Sequence, residues 1–355
     1  MSSEVTPTEF SLSCPLPLAD TDRVLLGHGS GGKLTAELIA RCFLPAFSNP
    51  HLDRLDDHAT VKAGDTRLAL STDSYVVTPL FFPGGDIGRL AVNGTVNDLA
   101  MAGARPLYMS AAFILEEGFP LADLRRVVAS MAEAAHKAGV LLVTGDTKVV
   151  DRGKADGCFV TTTGVGVVEH DREISASRAR PGDLVILSGP IAEHGMTIMA
   201  TRAELELETP IESDTMPLHE LVRDMLDTGG DIHCLRDPTR GGVATALCEI
   251  ARQSGVGMVL EEDTIPITEP VRGICELLGF DPLYVANEGR LLAIVASDDA
   301  DRVLARMRER AEGREARIIG RVVDDGGARL VVLETRVGGR RIVDMLPGEQ
   351  LPRIC

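Results

Sequence analysis

Apolar and polar positions follow two rhythms along this chain: short apolar runs, and longer stretches in which apolar residues recur at helical spacing. The runs predict strands at Arg67–Ser71, Leu107–Leu115, Val140–Thr144, Cys158–Val168, Leu184–Ser188, Val256–Leu260, Leu291–Val295, Ile318–Val323 and Leu330–Leu333. Helical spacing predicts Asp86–Ala102, with Leu90, Val92, Val96, Leu99 and Ala100 on its apolar side, and Leu121–Ala138, closed by Gly139. Further helices are expected after Glu193-His194-Gly195 and over Pro217–Leu226, Thr239–Gln253, Glu269–Leu278 and Arg302–Glu312. Short strands alternating with long helices predict a mixed α/β (α+β) architecture. The charged stretch Glu169–Arg180 and the turn Pro181-Gly182-Asp183 place a boundary near residue 175. The expected organisation is a disordered leader over 1–22, domains over 23–175 and 176–336, and a mobile tail over 337–355 with little periodicity.

Composition narrows the classes of function. The 355 residues hold 44% hydrophobic side chains, enough for two cores and a soluble globular protein. A net charge of −17, aromatic content of 3% and no Trp argue against nucleic acid, because phosphates would be repelled and bases find few stacking platforms. No apolar run approaches the ~20 residues that cross a bilayer, and the MSSEVTPTEF start lacks a basic and apolar leader, so a cytoplasmic protein is expected. The seven cysteines never form a C-x-x-C pair, and the eight histidines show no metal-binding spacing.

Polar residues gather where strands end. Gly27-His28-Gly29-Ser30-Gly31-Gly32-Lys33 satisfies both the P-loop spacing and G-x-G-x-x-G, although Leu34 stands where a P-loop carries Ser or Thr. Its glycines expose N–H groups suited to phosphate oxygens, and Lys33 adds a cation. Asp73, Asp98, Asp146 and Asp237 lie at element ends or, for Asp98, within an apolar helix where no cap explains it; such carboxylates suit a hard cation such as magnesium. Asp237-Pro238-Thr239-Arg240-Gly241-Gly242 offers a glycine-rich turn with Arg240 as a fork donor for an anion. Glu288, between Asn287 and Gly289 beside an apolar strand, has a setting that raises a carboxyl pKa for proton transfer. The chain closes on Pro352-Arg353-Ile354-Cys355, where Arg353 is positioned to hold a thiolate. From Gly339 that thiol has a reach of roughly 50 Å.

Taken together, Gly29–Lys33, Thr72-Asp73-Ser74, Val96-Asn97-Asp98-Leu99-Ala100, Gly145-Asp146-Thr147-Lys148-Val149-Val150, Asp237–Gly242, Asn287-Glu288-Gly289 and the terminal Pro-Arg-Ile-Cys closely resemble the HypE family of hydrogenase-maturation carbamoyl dehydratases. That family lies in the superfamily of aminoimidazole ribonucleotide synthetase and selenophosphate synthetase, and the likeness covers nearly the whole chain from Gly27. It implies a two-domain ATP enzyme, with residues 23–175 binding ATP and dimerising through an N-terminal sheet. It further implies that the carbamoyltransferase HypF loads a carbamoyl group on Cys355, that the tail enters the ATP site, and that the S-carboxamide is dehydrated to an S-cyanate. HypC and HypD would then receive the cyanide for the iron of nickel–iron hydrogenase.

The resemblance assigns Glu288 as base and Lys148 as the group that stabilises developing charge beside the Cys355 thiol. Asp73, Asp98 and Asp237 become magnesium ligands or hold its waters, with Asp146 a weaker candidate. Nucleotide contacts are expected from Gly31, Gly32, Lys33, Asn97, Gly145, Thr147, Thr239, Arg240 and Gly241. The rival readings are another ATP enzyme of this superfamily, a thiol carrier without catalysis, and a dinucleotide oxidoreductase. No reactive Cys stands in Gly27–Lys33, as selenophosphate synthetases usually have.

Overall fold

In the computed structural model, residues 23–205, 208–348, 351 and 353–355 are described; the leader 1–22 and Pro352 lie outside them. A helical segment opens the described chain: α1 (Lys33–Leu38) passes through a π-helical turn (Ile39–Phe43) into α2 (Leu44–Phe47). Then follow β1 (Ala59–Ala63), β2 (Thr66–Tyr75), a small hairpin of β3 (Phe81–Phe82) and β4 (Gly85–Asp86), α3 (Ile87–Met101), β5 (Ala104–Glu116), α4 (Leu121–Ala138), β6 (Leu141–Val150) and β7 (Cys158–Val168). The five long strands form one sheet in the order β1-β2-β7-β5-β6, antiparallel except for β5 beside β6. Strict alternation of buried and half-buried residues along β7 is what a central strand with one covered face requires.

Helix α3 is buried on nearly every side, because the sheet covers one face while α4 and the second half of the chain cover the others. Asp86 starts it by accepting from the N–H groups of Gly88 and Arg89 at 2.7 and 3.2 Å, so its first turn has no orphan donors at those positions. Of its buried polar side chains, Asn97 and Asp98 find partners at the site described below, while Asn93 donates to Thr215 Oγ1 at 3.2 Å and its Oδ1 has no partner among the described residues.

The second half contains β8 (Leu184–Leu187), α5 (Glu193–Arg202), α6 (His219–Asp227), β9 (Ile232–Arg236), α7 (Gly242–Ser254), β10 (Gly257–Glu261), α8 (Glu269–Leu278), β11 (Leu292–Val295), α9 (Ser297–Arg308), β12 (Arg317–Val323), β13 (Val331–Glu334) and β14 (Arg340–Val343). Its seven strands are ordered β14-β13-β10-β12-β8-β11-β9, with only β10 and β13 parallel. Among the described residues no helix is long and apolar enough to cross a membrane.

Three elements differ from the sequence expectation in ways that matter for the site. The expected Val140–Thr144 strand continues to Val150, carrying Gly145 to Lys148 along the sheet edge and not into a loop. Pairing with β5 supplies backbone partners that the polar side chains do not advertise. Helix α7 begins at Gly242, not Thr239, since Gly241 and Gly242 both adopt positive φ (77° and 61°) and break the helical path. Asp237 is therefore no cap, and its carboxyl is left for other work. The segment read as a tail starts with strand β14, whose Arg340–Val343 pairs with β13, and its last residues return to the first half of the molecule.

Candidate active site

Carboxylates from four separate elements converge between the two halves. Asp73 comes from β2, Asp98 from α3, Asp237 from the turn after β9, and Asp57 from the segment before β1. One oxygen each from Asp57, Asp98 and Asp237 lies within 4.8 Å of the others. Asp57 is held by the neighbouring Asp56, whose Oδ1 accepts from Ser175 Oγ at 3.1 Å and Ala176 N at 3.0 Å, and by Arg236, whose Nε lies 3.0 Å from it. Its Oδ2 is buried without a partner. Asp98 accepts from Ser71, and Asp73 from the Tyr75 hydroxyl at 3.1 Å.

Burial, then mutual repulsion, dominates the electrostatics. It pushes the Asp98 carboxyl well above the usual carboxylate range, with Asp73 and Asp237 adding to the effect. Asp57 moves the same way through burial, against the pull of Arg236. Asp237 is pushed up to about 7 by burial and by Asp73, with Arg236 opposing. Packed carboxylates of this kind cannot all ionise without a cation. Their hard oxygens and the orphaned Asp57 Oδ2 fit magnesium chemistry.

A cavity of about 570 Å³ opens from this acidic end, within the size range of small-molecule sites. Ile39, Leu44 and Leu55 give it an apolar lining, while Thr72, Thr239 and Arg240 add polar groups. The π turn at Ile39–Phe43 belongs to that lining, a feature frequent at functional sites. Gly31 lines the same cavity. Gly32 and Lys33 are instead covered by the returning tail: Lys33 N donates to Leu346 O at 2.9 Å and its Nζ pairs with Asp344. A Cβ on Gly32 would stand 2.1 Å from Leu346 O, so only glycine admits this approach.

The tail ends beside the carboxylates. Val76 N donates to Cys355 O at 3.0 Å and Thr78 N to Arg353 O at 3.2 Å, so the last residues run along the chain that leaves β2. Cys355 shares a small pocket with Asp73, Asp98, Asp237, Arg240 and Glu288. Burial pushes its thiol up to about 12, against the nearby Arg240 guanidinium. Glu288 is 3% exposed, and burial, followed by Asp214 and Asp237, raises its carboxyl well above the usual range. Its Oε1 is buried and unpartnered, while its N–H donates to Asp214 Oδ1 at 3.0 Å. The structure thus brings Cys355, Glu288, Asp73, Asp98, Asp237, Thr239, Arg240 and Gly241 together.

Other expected site residues stand elsewhere or have other partners. Gly145, Asp146, Thr147 and Lys148 sit on exposed edge strand β6, separated from β2 by β7 and β5, three spacings or about 14 Å. Asp146 and Lys148 pair with each other at 2.9 Å, and that bond holds the Asp146 carboxyl below its ordinary value. Within one chain Lys148 does not meet Cys355. Asn97 is buried and has its amide engaged: Nδ2 donates to Met216 O and Glu288 O at 3.1 and 3.2 Å, and Oδ1 accepts from Leu218 N at 2.8 Å. It ties the two halves and fixes the Glu288 backbone, in place of the expected nucleotide contact. Arg353 pairs with Asp156, so Arg240 is the cation beside the thiol. Asp57 was invisible in sequence because an Asp56-Asp57-His58 run reads as a solvated turn; only the tertiary fold buries it.

This two-domain α/β frame is that of the AIR synthase related proteins. The N-terminal domain family of that name matches residues 55–168, and its C-terminal domain family matches 180–333. The carbamoyl dehydratase HypE of Cupriavidus necator is 58% identical over 335 residues, covering 94% of this chain and 95% of that protein. HypE of Escherichia coli is 45% identical over 340 residues, or 94% of this chain and 100% of its own length. A crystal structure of HypE in complex with ATP matches with a TM-score of 0.80 at 50% identity, covering 94% of this chain and 100% of that one. A HypE–HypF complex matches with 0.82 at 47% identity, covering 87% and 99%. The chain belongs to the carbamoyl dehydratase HypE family. Membership sets aside the oxidoreductase reading.

Proposed function

We propose that the chain dehydrates a carbamoyl group carried on its own Cys355, converting S–C(=O)–NH2 to S–C≡N at the expense of ATP. The observation that carries this reading is the seating of the terminal thiol in one pocket with Glu288, Arg240 and the acidic cluster. The amide oxygen attacks the γ-phosphorus and ADP leaves; the C–O bond then breaks, phosphate departs, and the nitrogen gives up its protons as the triple bond forms. Phosphorylation is needed because an amide oxygen is a poor leaving group. Burial raises the proton affinity of the Glu288 carboxyl, so its ionised form, which Arg240 favours, is a strong acceptor for a nitrogen proton. Arg240 stands to stabilise the negative charge that develops beside the sulfur.

The 570 Å³ cavity fits the nucleotide, its apolar lining suited to the base and its polar groups to the phosphates. Asp57, Asp98 and Asp237, with Asp73 adjoining, would hold magnesium, which when bound neutralises phosphate charge. The lead test is mass spectrometry of the tail after incubation with HypF, carbamoyl phosphate and MgATP, beside Cys355→Ala. Wild type should gain a carbamoyl and then lose one water only when ATP is present; a carbamoylated tail that never loses water would leave a carrier role. The product nitrile is open to transfer toward iron held by HypC and HypD.

Lys148 enters through a second copy of the chain. Both faces of β6 are exposed, and Leu141, Val143 and Val149 are 64%, 59% and 66% exposed on an unpaired sheet edge. Such an edge favours pairing with another chain. Edge-to-edge pairing alone would set the partner's Lys148 still farther from this site, so the homodimer is one that packs the exposed faces of the two sheets together at β6, where Lys148 and Asp146 of one chain face the site of the other. Val143→Asp should give a monomer by light scattering and lose dehydration while keeping its thermal midpoint within a few degrees; a dimer that persists would place the interface elsewhere.

A further inference from the structure

The tail is gripped by residues that no nucleotide or carbamoyl chemistry calls for. His194, at the start of α5, is completely buried, and its Nε2 lies 2.6 Å from the carbonyl oxygen of Ile354. Its Nδ1 lies 2.7 Å from Ser213 Oγ, which in turn accepts from Thr215 N at 3.2 Å. The Thr215 N–H leaves the Ser213 proton to point at Nδ1, so Nδ1 accepts and Nε2 carries the ring hydrogen toward the tail. The Phe82 ring meets the imidazole edge-on at 5.5 Å and 81°, fixing its plane. Burial lowers the imidazole pKa, in keeping with a neutral ring. Beside it Arg202 donates to the carbonyl oxygens of Arg353 and Thr78.

We propose that His194 is a positioning residue for the dehydration, seating the tail by its last peptide carbonyl so that the Cys355 sulfur faces Arg240 and Glu288. A main-chain grip does not involve the sulfur, so thiol, carbamoyl and cyanate forms dock alike. It also fixes register: the held carbonyl is one residue from the reacting side chain, and Ile354 is buried in the same contact. The rate consequence rests on the dehydratase reading above, whereas shielding of the thiol rests on the docked geometry alone.

Alkylation of Cys355 by iodoacetamide in the full chain, read by peptide mass spectrometry, reports docking, with the exposed Cys42 as internal control. His194→Ala should raise the Cys355 rate about tenfold and leave Cys42 unchanged, the effect of losing one buried hydrogen bond. His194→Gln, whose amide N–H can reach the same carbonyl, should stay within about twofold of wild type. With HypF, carbamoyl phosphate and MgATP, His194→Ala should load at an undiminished rate but dehydrate about tenfold more slowly. If that variant does not fold, Ser213→Ala carries the test, because losing the hydroxyl releases the ring to the other tautomer and should raise alkylation severalfold. Unchanged Cys355 alkylation in folded variants overturns the proposal, as does a parallel fall in loading and dehydration. If the dehydratase reading itself fails, wild-type tail stays carbamoylated whatever the alkylation rates.

Discussion

Glu288→Gln should leave Cys355 able to accept a carbamoyl group from HypF, yet slow its ATP-dependent loss of water by on the order of 10³-fold. The two steps separate because the carbamoyltransferase performs the loading, whereas nitrogen deprotonation is the step proposed for Glu288. The substitution is mild structurally. In the resting pocket burial and the neighbouring Asp214 and Asp237 oppose ionisation of Glu288, and glutamine reproduces the shape and neutrality of that resting form. The main-chain links that place it, from Asn97 to its carbonyl and from its N–H to Asp214, do not involve the side chain. The thermal midpoint should therefore hold or rise, while mass spectrometry finds the tail stalled as the S-carboxamide. Dehydration at more than about a tenth of the wild-type rate would remove Glu288 from the chemistry and shift the base to another group.

Asp237→Asn should move stability and activity in opposite directions. In the folded chain the Asp237 carboxyl lies at about 7, against an ordinary value of 3.8. The folded state thus binds a proton that the unfolded chain has already released, and stability falls wherever that difference exists. The contribution is fully present below about 3.8 and is lost as pH rises through about 7. Asp57 and Asp98 are raised in the same direction, so the metal-free protein should melt at progressively lower temperature between pH 5 and 8. Magnesium should restore the midpoint at the alkaline end, because binding to the folded state alone stabilises it. In Asp237→Asn the dependence flattens and the metal-free protein melts higher at pH 8, while dehydration falls by on the order of a hundredfold or more. Calorimetry from pH 5 to 8, with and without magnesium, reads both effects; a wild-type midpoint that climbs with pH would contradict the buried-carboxylate account.

Local pattern carried much of the architecture. Helix Leu121–Ala138 with its glycine stop and strand Cys158–Val168 were legible because period and cap chemistry depend on near neighbours. Strand β1, the extension of β6 and the ordered β14 were not, since each is stabilised by pairing with a strand distant in sequence. Reading the site divided along the same line. Asp98 stood out as a charge with no cap to make on an apolar helix, whereas Asp57 resembled any loop acid until the fold enclosed it.

By itself the sequence determined which groups do chemistry here: a terminal thiol, carboxylates in apolar surroundings, and a glycine-rich turn bearing Arg240, because residue type sets what an atom can donate, accept or attack. Tertiary structure decided who meets whom. It put Arg240 and not Arg353 beside the Cys355 sulfur, engaged Asn97 between the domains, left Lys148 on an edge strand three spacings, about 14 Å, from β2, and brought His194 to the last peptide carbonyl. Those pairings depend on burial and on distances between segments far apart in the chain, and no local pattern encodes either.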